Sequence, residues 1–162
     1  MTRVQAGLTL VELLVGIAVM AVLLTLAVPS FQSLRQQYQV RSAGMAVYAD
    51  LQLARSEAIK RNRAVSLCFT NSDSVDWLYR LYDSDECSGT EIESTDSRNY
   101  PSIHLKSNIG TKITFRPRRN TFFAGNITVK NGSYEMKVVV SSSGRIRTCS
   151  EHNLLGVPSS CP

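Results

Sequence analysis

Apolar residues follow three regimes along this chain: an unbroken run near the start, a period of three to four after it, and a period of two through most of the rest. From Leu8 to Val28 the 21 residues carry a single charge, Glu12, and thirteen of them are Leu, Ile or Val. A helix crosses a hydrocarbon core with about 20 apolar residues. At about −0.3 to −0.6 kcal/mol each, those side chains offset the cost of about +3 kcal/mol for an acid at mid-membrane. The run is therefore expected to insert despite Glu12. Beyond Pro29, residues Val40, Gly44, Val47, Leu51, Ala54 and Ala58 are spaced by four or three, which places them on one stripe of a helix. Gln39, Arg41, Asp50, Gln52, Arg55, Glu57 and Lys60 fall mostly off that stripe. One helix from Leu8 to about Asn62 is predicted, about 80 Å long at about 1.5 Å per residue. Pro29 lacks an amide hydrogen and clashes with the preceding turn, so a kink or local melting is expected there.

After the helix the period becomes two. Val65, Leu67 and Phe69 alternate with polar residues and predict a half-buried strand; Trp77 to Tyr82 predicts a second, across the polar loop Asn71 to Asp76. Residues Asp83 to Pro101 hold little but Ser, Asp, Glu, Gly and Thr, and read as a long acidic surface loop tied back by Cys87. Lys112 to Arg116 alternates again until Pro117, which ends the strand or places it at an edge. Asn126 to Lys130 and Ser133 to Val140 flank Asn131-Gly132, a strong hairpin signal because both residues tolerate positive φ. Ser141 to Gly144 makes a turn into a last strand, Arg145 to Cys149. The expected fold is α+β: a long N-terminal helix, half transmembrane and half amphipathic, packed on an antiparallel β-sheet head.

A secretory signal places its small-residue cleavage site after the apolar run. Here the small residue, Gly7, comes before it. Gly7-Leu8-Thr9-Leu10-Val11-Glu12 resembles the type IV prepilin signature, in which a peptidase cuts after the glycine and the new amino terminus is methylated. Glu12 and Pro29 fall on the glutamate and proline places of that family, while Leu8 stands where phenylalanine is usual. The segment Asp50 to Asn62, followed by Val65 and Cys68, resembles the FimT and GspH minor pilins. The resemblance implies a cleaved leader over residues 1–7, a membrane and assembly half over 8–29, an amphipathic half over 30–63 and a β-rich head over 64–162 with the acidic loop 83–101. It implies prepilin peptidase, other pilins and the inner membrane as partners, a periplasmic head, and later a place on the cell surface in the pilus. It also gives Glu12 the role of neutralising the free amine of Leu8 on a neighbouring subunit.

Four cysteines in a largely exported chain read as two disulfides. Three connectivities are possible, and Cys68 with Cys87 and Cys149 with Cys161 are favoured because each closes an irregular loop. A zinc site using Cys149, His152 and Cys161 lacks a fourth ligand at a recognisable spacing. Asp83, Asp85 and Gly89 faintly suggest a calcium loop, with the glycine one place late. No metal and no cofactor are expected. His104 and His152 stand far apart, and no phosphate-cradling glycine motif or nucleophile elbow is present, so the chain does not read as an enzyme.

Net charge is +5 and is unevenly spread. Residues 1–63 carry seven basic and three acidic groups, residues 64–100 two and eight, and residues 101–162 nine and two. A basic pole of this kind is the footprint of a polyanion binder. Within the last block, Gly144-Arg145-Ile146-Arg147 resembles the GRxR motif of DNA-binding FimT proteins. Alternation puts Ile146 toward the core and both arginines in solvent, about 6 to 7 Å apart, where each guanidinium can fork onto phosphate oxygens. A charge-guarded edge strand is the plainer reading of the same residues. Lys112, Arg116, Arg118, Arg119, Lys130 and Lys137 extend the candidate DNA surface, with Phe122 and Phe123 as stacking faces or, more commonly, core. The resulting expectation is a minor type IV pilin that binds extracellular DNA, largely without regard to sequence, for uptake in natural transformation. A GspH-like pseudopilin of a type II secretion system and a tip adhesin share the same N-terminal features.

Overall fold

A computed structural model of the chain describes residues 9–118, 124–151 and 154–161. Two compact units divide it, Met1–Arg35 and Gln36–Pro162. In the first, the opening part of α1 (Leu10–Arg61) exposes its apolar side chains on every side and is long and apolar enough to cross a membrane. The helix runs through Pro29 without a break. The melting expected there does not occur: one missing amide hydrogen is a local loss within a 52-residue ladder.

In the second unit α1 buries Val40, Gly44, Val47, Leu51, Ala54 and Ala58, the predicted stripe, together with Ala43. The strands form the expected antiparallel head, as two four-stranded sheets. The first has the order β3-β2-β1-β5, from β1 (Val65–Thr70), β2 (Leu78–Tyr82), β3 (Glu91–Asp96) and β5 (Lys112–Phe115). The second has the order β4-β6-β7-β8, from β4 (His104–Ser107), β6 (Gly125–Asn131), β7 (Tyr134–Val140) and β8 (Ile146–Cys149). Both meet α1. Asp50 on the helix accepts hydrogen bonds from Tyr79 Oη of β2 at 2.7 Å and Thr95 Oγ1 of β3 at 3.0 Å. A Cβ on Gly44 would stand 2.5 Å from Met136 Sδ of β7, so glycine lets the helix and strand approach this closely without displacing the Met136 side chain. Trp77 stacks on Tyr79, with ring centres 5.9 Å apart, and its indole N–H donates to the Ile103 carbonyl at 3.0 Å, which lets a large aromatic be buried with its polar atom satisfied. Every buried apolar side chain among the described residues lies in Gln36–Pro162, so the head carries its whole core.

Four expectations need correction. The acidic stretch 83–101 is not one long loop: β3 and a single 3-10 turn, Ser97–Asn99, interrupt it. Only Ile92 in β3 is apolar, which suits an edge strand with one sparsely covered face and gives no clear alternation. β1 is buried throughout Val65–Phe69, not on alternate residues, because it is flanked by β2 and β5 while the Cys87 loop covers Ser66 and Cys68. β4 escaped the pattern because Leu105 is its only apolar residue, so it shows no alternation. The β6–β7 turn is centred on Gly132-Ser133, with Asn131 paired to Tyr134. Only Gly132 in it takes a positive φ, 58°, as a type II′ turn demands.

Both favoured disulfides form, Cys68–Cys87 and Cys149–Cys161. The second removes the thiolates a zinc site would have used. Asp83 is turned to Arg61 Nη1 at 3.1 Å, which takes it out of a calcium loop. No cluster of three metal-ligating side chains occurs among the described residues.

Candidate nucleic-acid interface

The motif Gly144 to Arg147 lies where β7 turns into β8, an edge strand of the second sheet. Ser141 closes the turn. Its N–H donates to the Arg145 carbonyl at 2.9 Å, its carbonyl accepts from Gly144 N–H at 2.8 Å, and its hydroxyl accepts from Arg145 N–H at 3.1 Å. Gly144 is buried with φ 74°, a left-handed conformation that glycine adopts without cost. Its carbonyl accepts a hydrogen bond from Arg55 Nη1 on α1 at 3.2 Å, which fastens the turn to the helix. Arg145 stands just before β8 and not inside it, yet the predicted alternation holds: Arg145 and Arg147 are exposed and Ile146 between them is buried. Arg147 borders a cleft of about 410 Å³ lined also by Tyr48, Ile146, Thr148, Pro158 and Ser160.

The rest of the basic block separates into two kinds. Lys112 donates to the Asp85 carbonyl at 2.8 Å and pairs with Glu86 at 3.2 Å, so it belongs to the acidic loop. Lys137 contacts Glu151 closely and Glu135 at 3.3 Å, and these two acids hold its ammonium pKa above the ordinary lysine value, Glu151 first. Lys106 pairs with Asp73 at 2.9 Å. By contrast Arg116, Arg118, Lys130, Arg145 and Arg147 are exposed and make no ion pair among the described residues. Lys112 and Lys137, predicted to extend the basic surface, are thus paired with local carboxylates in this structure. Arg119, Phe122, Phe123 and His152 lie outside the described residues, as do Gly7 and Leu8.

Near the start of α1, Thr9 and Glu12 form a capping box. Thr9 N–H and Oγ1–H donate to Glu12 Oε2 at 3.1 Å each, and Glu12 N–H donates to Thr9 Oγ1 at 3.2 Å. Sequence reading missed this local partner of Glu12, although Thr-x-x-Glu ahead of an apolar run is a legible signal. It also missed Tyr48 and Arg55, polar helix residues that no periodicity singles out.

Two parts of the chain match known family models. Residues 43–144 match the model described as type II transport protein GspH. The chain belongs to the GspH family. Residues 2–28 of this pilin-like subunit match the prokaryotic N-terminal methylation motif, which implies processing by a prepilin peptidase and assembly with other pilins. Motif and apolar helix together fit an inner-membrane anchor with a periplasmic head. The fold of this minor pilin is shared by the type IV minor pilin FimU of Pseudomonas aeruginosa strain PAO1, in two crystal forms. One aligns at 22% identity over 67% of this chain and 90% of FimU, with TM-score 0.53. The other aligns at 20% identity over 69% and 89%, with TM-score 0.58. No curated protein matches the chain. The family is one of structural subunits, not of enzymes.

Proposed function

We propose that this minor pilin captures extracellular double-stranded DNA for uptake in natural transformation, holding the phosphate backbone with Arg145 and Arg147. The observation that carries this reading is a pair of exposed guanidiniums, without acid partners among the described residues, on a turn pinned by Ser141 and Arg55. Arginine on a preorganised turn forks onto phosphate oxygens with little further loss of freedom. Contacts of this kind follow the backbone and not the bases, so affinity is expected to be indifferent to sequence and to fall steeply with salt. Arg116, Arg118 and Lys130 are the other exposed cations that support the surface. The test is a gel-shift titration of the head, Gln36–Pro162, against the variant carrying Arg145→Gln and Arg147→Gln. Loss of retention with unchanged thermal melting supports the site; equal retention by both proteins sinks it.

The GspH match favours a second reading, a structural subunit of a type II secretion system whose head binds protein. A full chain that enters the assembly while its head binds no DNA at low salt would select it.

We further infer that in the assembled filament Glu12 exchanges Thr9 for the methylated amine of Leu8 on a neighbouring subunit, after cleavage behind Gly7. An acid inside an apolar span is costly unless paired, whereas the capping box alone is worth about 1 kcal/mol. Glu12→Ala should therefore enter pili at a small fraction of the normal level, and normal incorporation would leave Glu12 as a cap only.

A further inference from the structure

A second group of guanidiniums meets at the far end of α1. Asn62 takes φ 50° and closes the helix: its N–H donates to the Ile59 carbonyl and the N–H of Arg63 donates to the Ala58 carbonyl, each at 3.2 Å. This is a Schellman closure with asparagine in place of glycine. It consumes two of the carbonyls that make a helix C-terminus repel anions, and it turns Arg63 out of the helix path. Two residues on, β1 pairs with β5 in the register Val65 to Phe115. The antiparallel continuation brings Arg63 and Ala64 beside Arg116 and Pro117. The result is an open cleft of about 460 Å³ lined by Asn62, Arg63, Ala64, Arg116, Pro117 and Arg118. Asp83 Oδ2 lies 3.9 Å from Arg63 but binds Arg61 at 3.1 Å, and the Arg63 side chain stays 71% exposed. Asp83 therefore does not withdraw Arg63 from the cleft.

The helix itself measures how this cleft stands to the Arg147 cleft. Tyr48 lines the Arg147 cleft, Arg55 holds the Gly144 carbonyl and Asn62 lines the second cleft. Tyr48 and Arg55 stand one heptad apart in α1, Asn62 follows at the next heptad as the residue that closes it, and an α-helix drifts by only about 20° per heptad. They lie along one face of α1 over about 21 Å. From this geometry we infer that Arg63, Arg116 and Arg118 form a second phosphate-binding site, in line with Arg145 and Arg147. The two sites make one track that seats about six base pairs of DNA, at about 3.4 Å per pair. The DNA part of this inference rests on the reading proposed above; the phosphate site stands on the cleft.

The full chain in neutral detergent, titrated by fluorescence anisotropy with a labelled duplex at several salt concentrations, tests the track. Each phosphate contact removed lowers the slope of log affinity against log salt by about 0.9. The variant carrying Arg63→Gln, Arg116→Gln and Arg118→Gln should lose two to three such steps and still bind at low salt. Arg118→Gln alone should lose about one. An unchanged slope in both, with the parent protein binding DNA, overturns the inference. If the parent protein binds no DNA, the proposed function fails, and calorimetry with inorganic tripolyphosphate decides the cleft separately. Heat of binding that disappears in the triple variant upholds a phosphate site, and no heat with the parent protein overturns it.

Discussion

The cations of the C-terminal block differ in what surrounds them more than in their charge. Lys112 and Lys137 point to Glu86 and to Glu135 and Glu151, while Arg145 and Arg147 stand in solvent on a braced turn. A cation already held by a carboxylate offers a phosphate little, since each new contact must replace an existing one. An exposed arginine gives up only water. On the proposed reading, the block of nine basic groups is thus smaller as a binding surface than as a count, and its open cations, Arg116, Arg118, Lys130, Arg145 and Arg147, outweigh its paired lysines.

The largest effect should come from contrasting the two kinds directly. Arg145→Gln with Arg147→Gln removes two charge-assisted contacts of about 1.5 to 3 kcal/mol each, so DNA affinity should fall by about 100-fold or more. Lys112→Gln with Lys137→Gln should change it by less than about threefold. Comparable losses in the two variants, measured in the same gel-shift series, would break the comparison. Next in size is Gly144→Val, which places a β-branched residue at φ 74° in a buried position. It should cost about 1 to 3 kcal/mol in thermal or denaturant unfolding and weaken DNA binding by displacing both arginines. Unaltered stability would show that the turn is not strained by a side chain.

A smaller effect sharpens the same contrast from the other side. Glu135→Gln with Glu151→Gln leaves Lys137 without its two carboxylates, and DNA affinity should rise a few-fold at low salt and less at high salt. No gain would mean that Lys137 lies off the track. The same acids make Lys137 a stabilising group with a raised pKa, so its contribution is full below the ordinary lysine value and is lost as pH rises through the folded value.

The smallest effect concerns the acids, where surroundings again decide. Asp73, exposed beside Lys106, is held below the usual carboxylate range, so its contribution to stability is present at neutral pH and lost as pH falls. Burial pushes Asp50 the other way, against its hydrogen bonds from Tyr79 and Thr95, and burial likewise raises the Tyr79 phenol. A raised folded pKa means that Asp50 stabilises most below its unfolded value and loses that contribution as pH rises through the folded one. Asp50→Asn should therefore gain stability relative to the parent head as pH is raised from about 4 to about 7. A constant difference in melting temperature over that range would count against the shift.

The length of α1, its bare and striped halves and the alternation around Ile146 were legible in the sequence, because each depends on neighbours within a few residues or on a periodic pattern; the cysteine count pointed to two disulfides but left three connectivities, and the fold chose among them. The prepilin-like start, Gly7 to Glu12, was legible as a short motif. Short or sparsely apolar elements were not: β3 and β4 exist because β2 and β6 offer them a ladder, and neither carries enough pattern to announce itself.

Local chemistry determined which residues can be helix, strand or turn, and which carry charge. Tertiary structure alone decided which charges remain available. Both pairing and strand order act through space: a carboxylate joined Lys112 to a loop 26 residues earlier, while the sheet left Arg147 open on an edge and one strand register placed Arg63 beside Arg116.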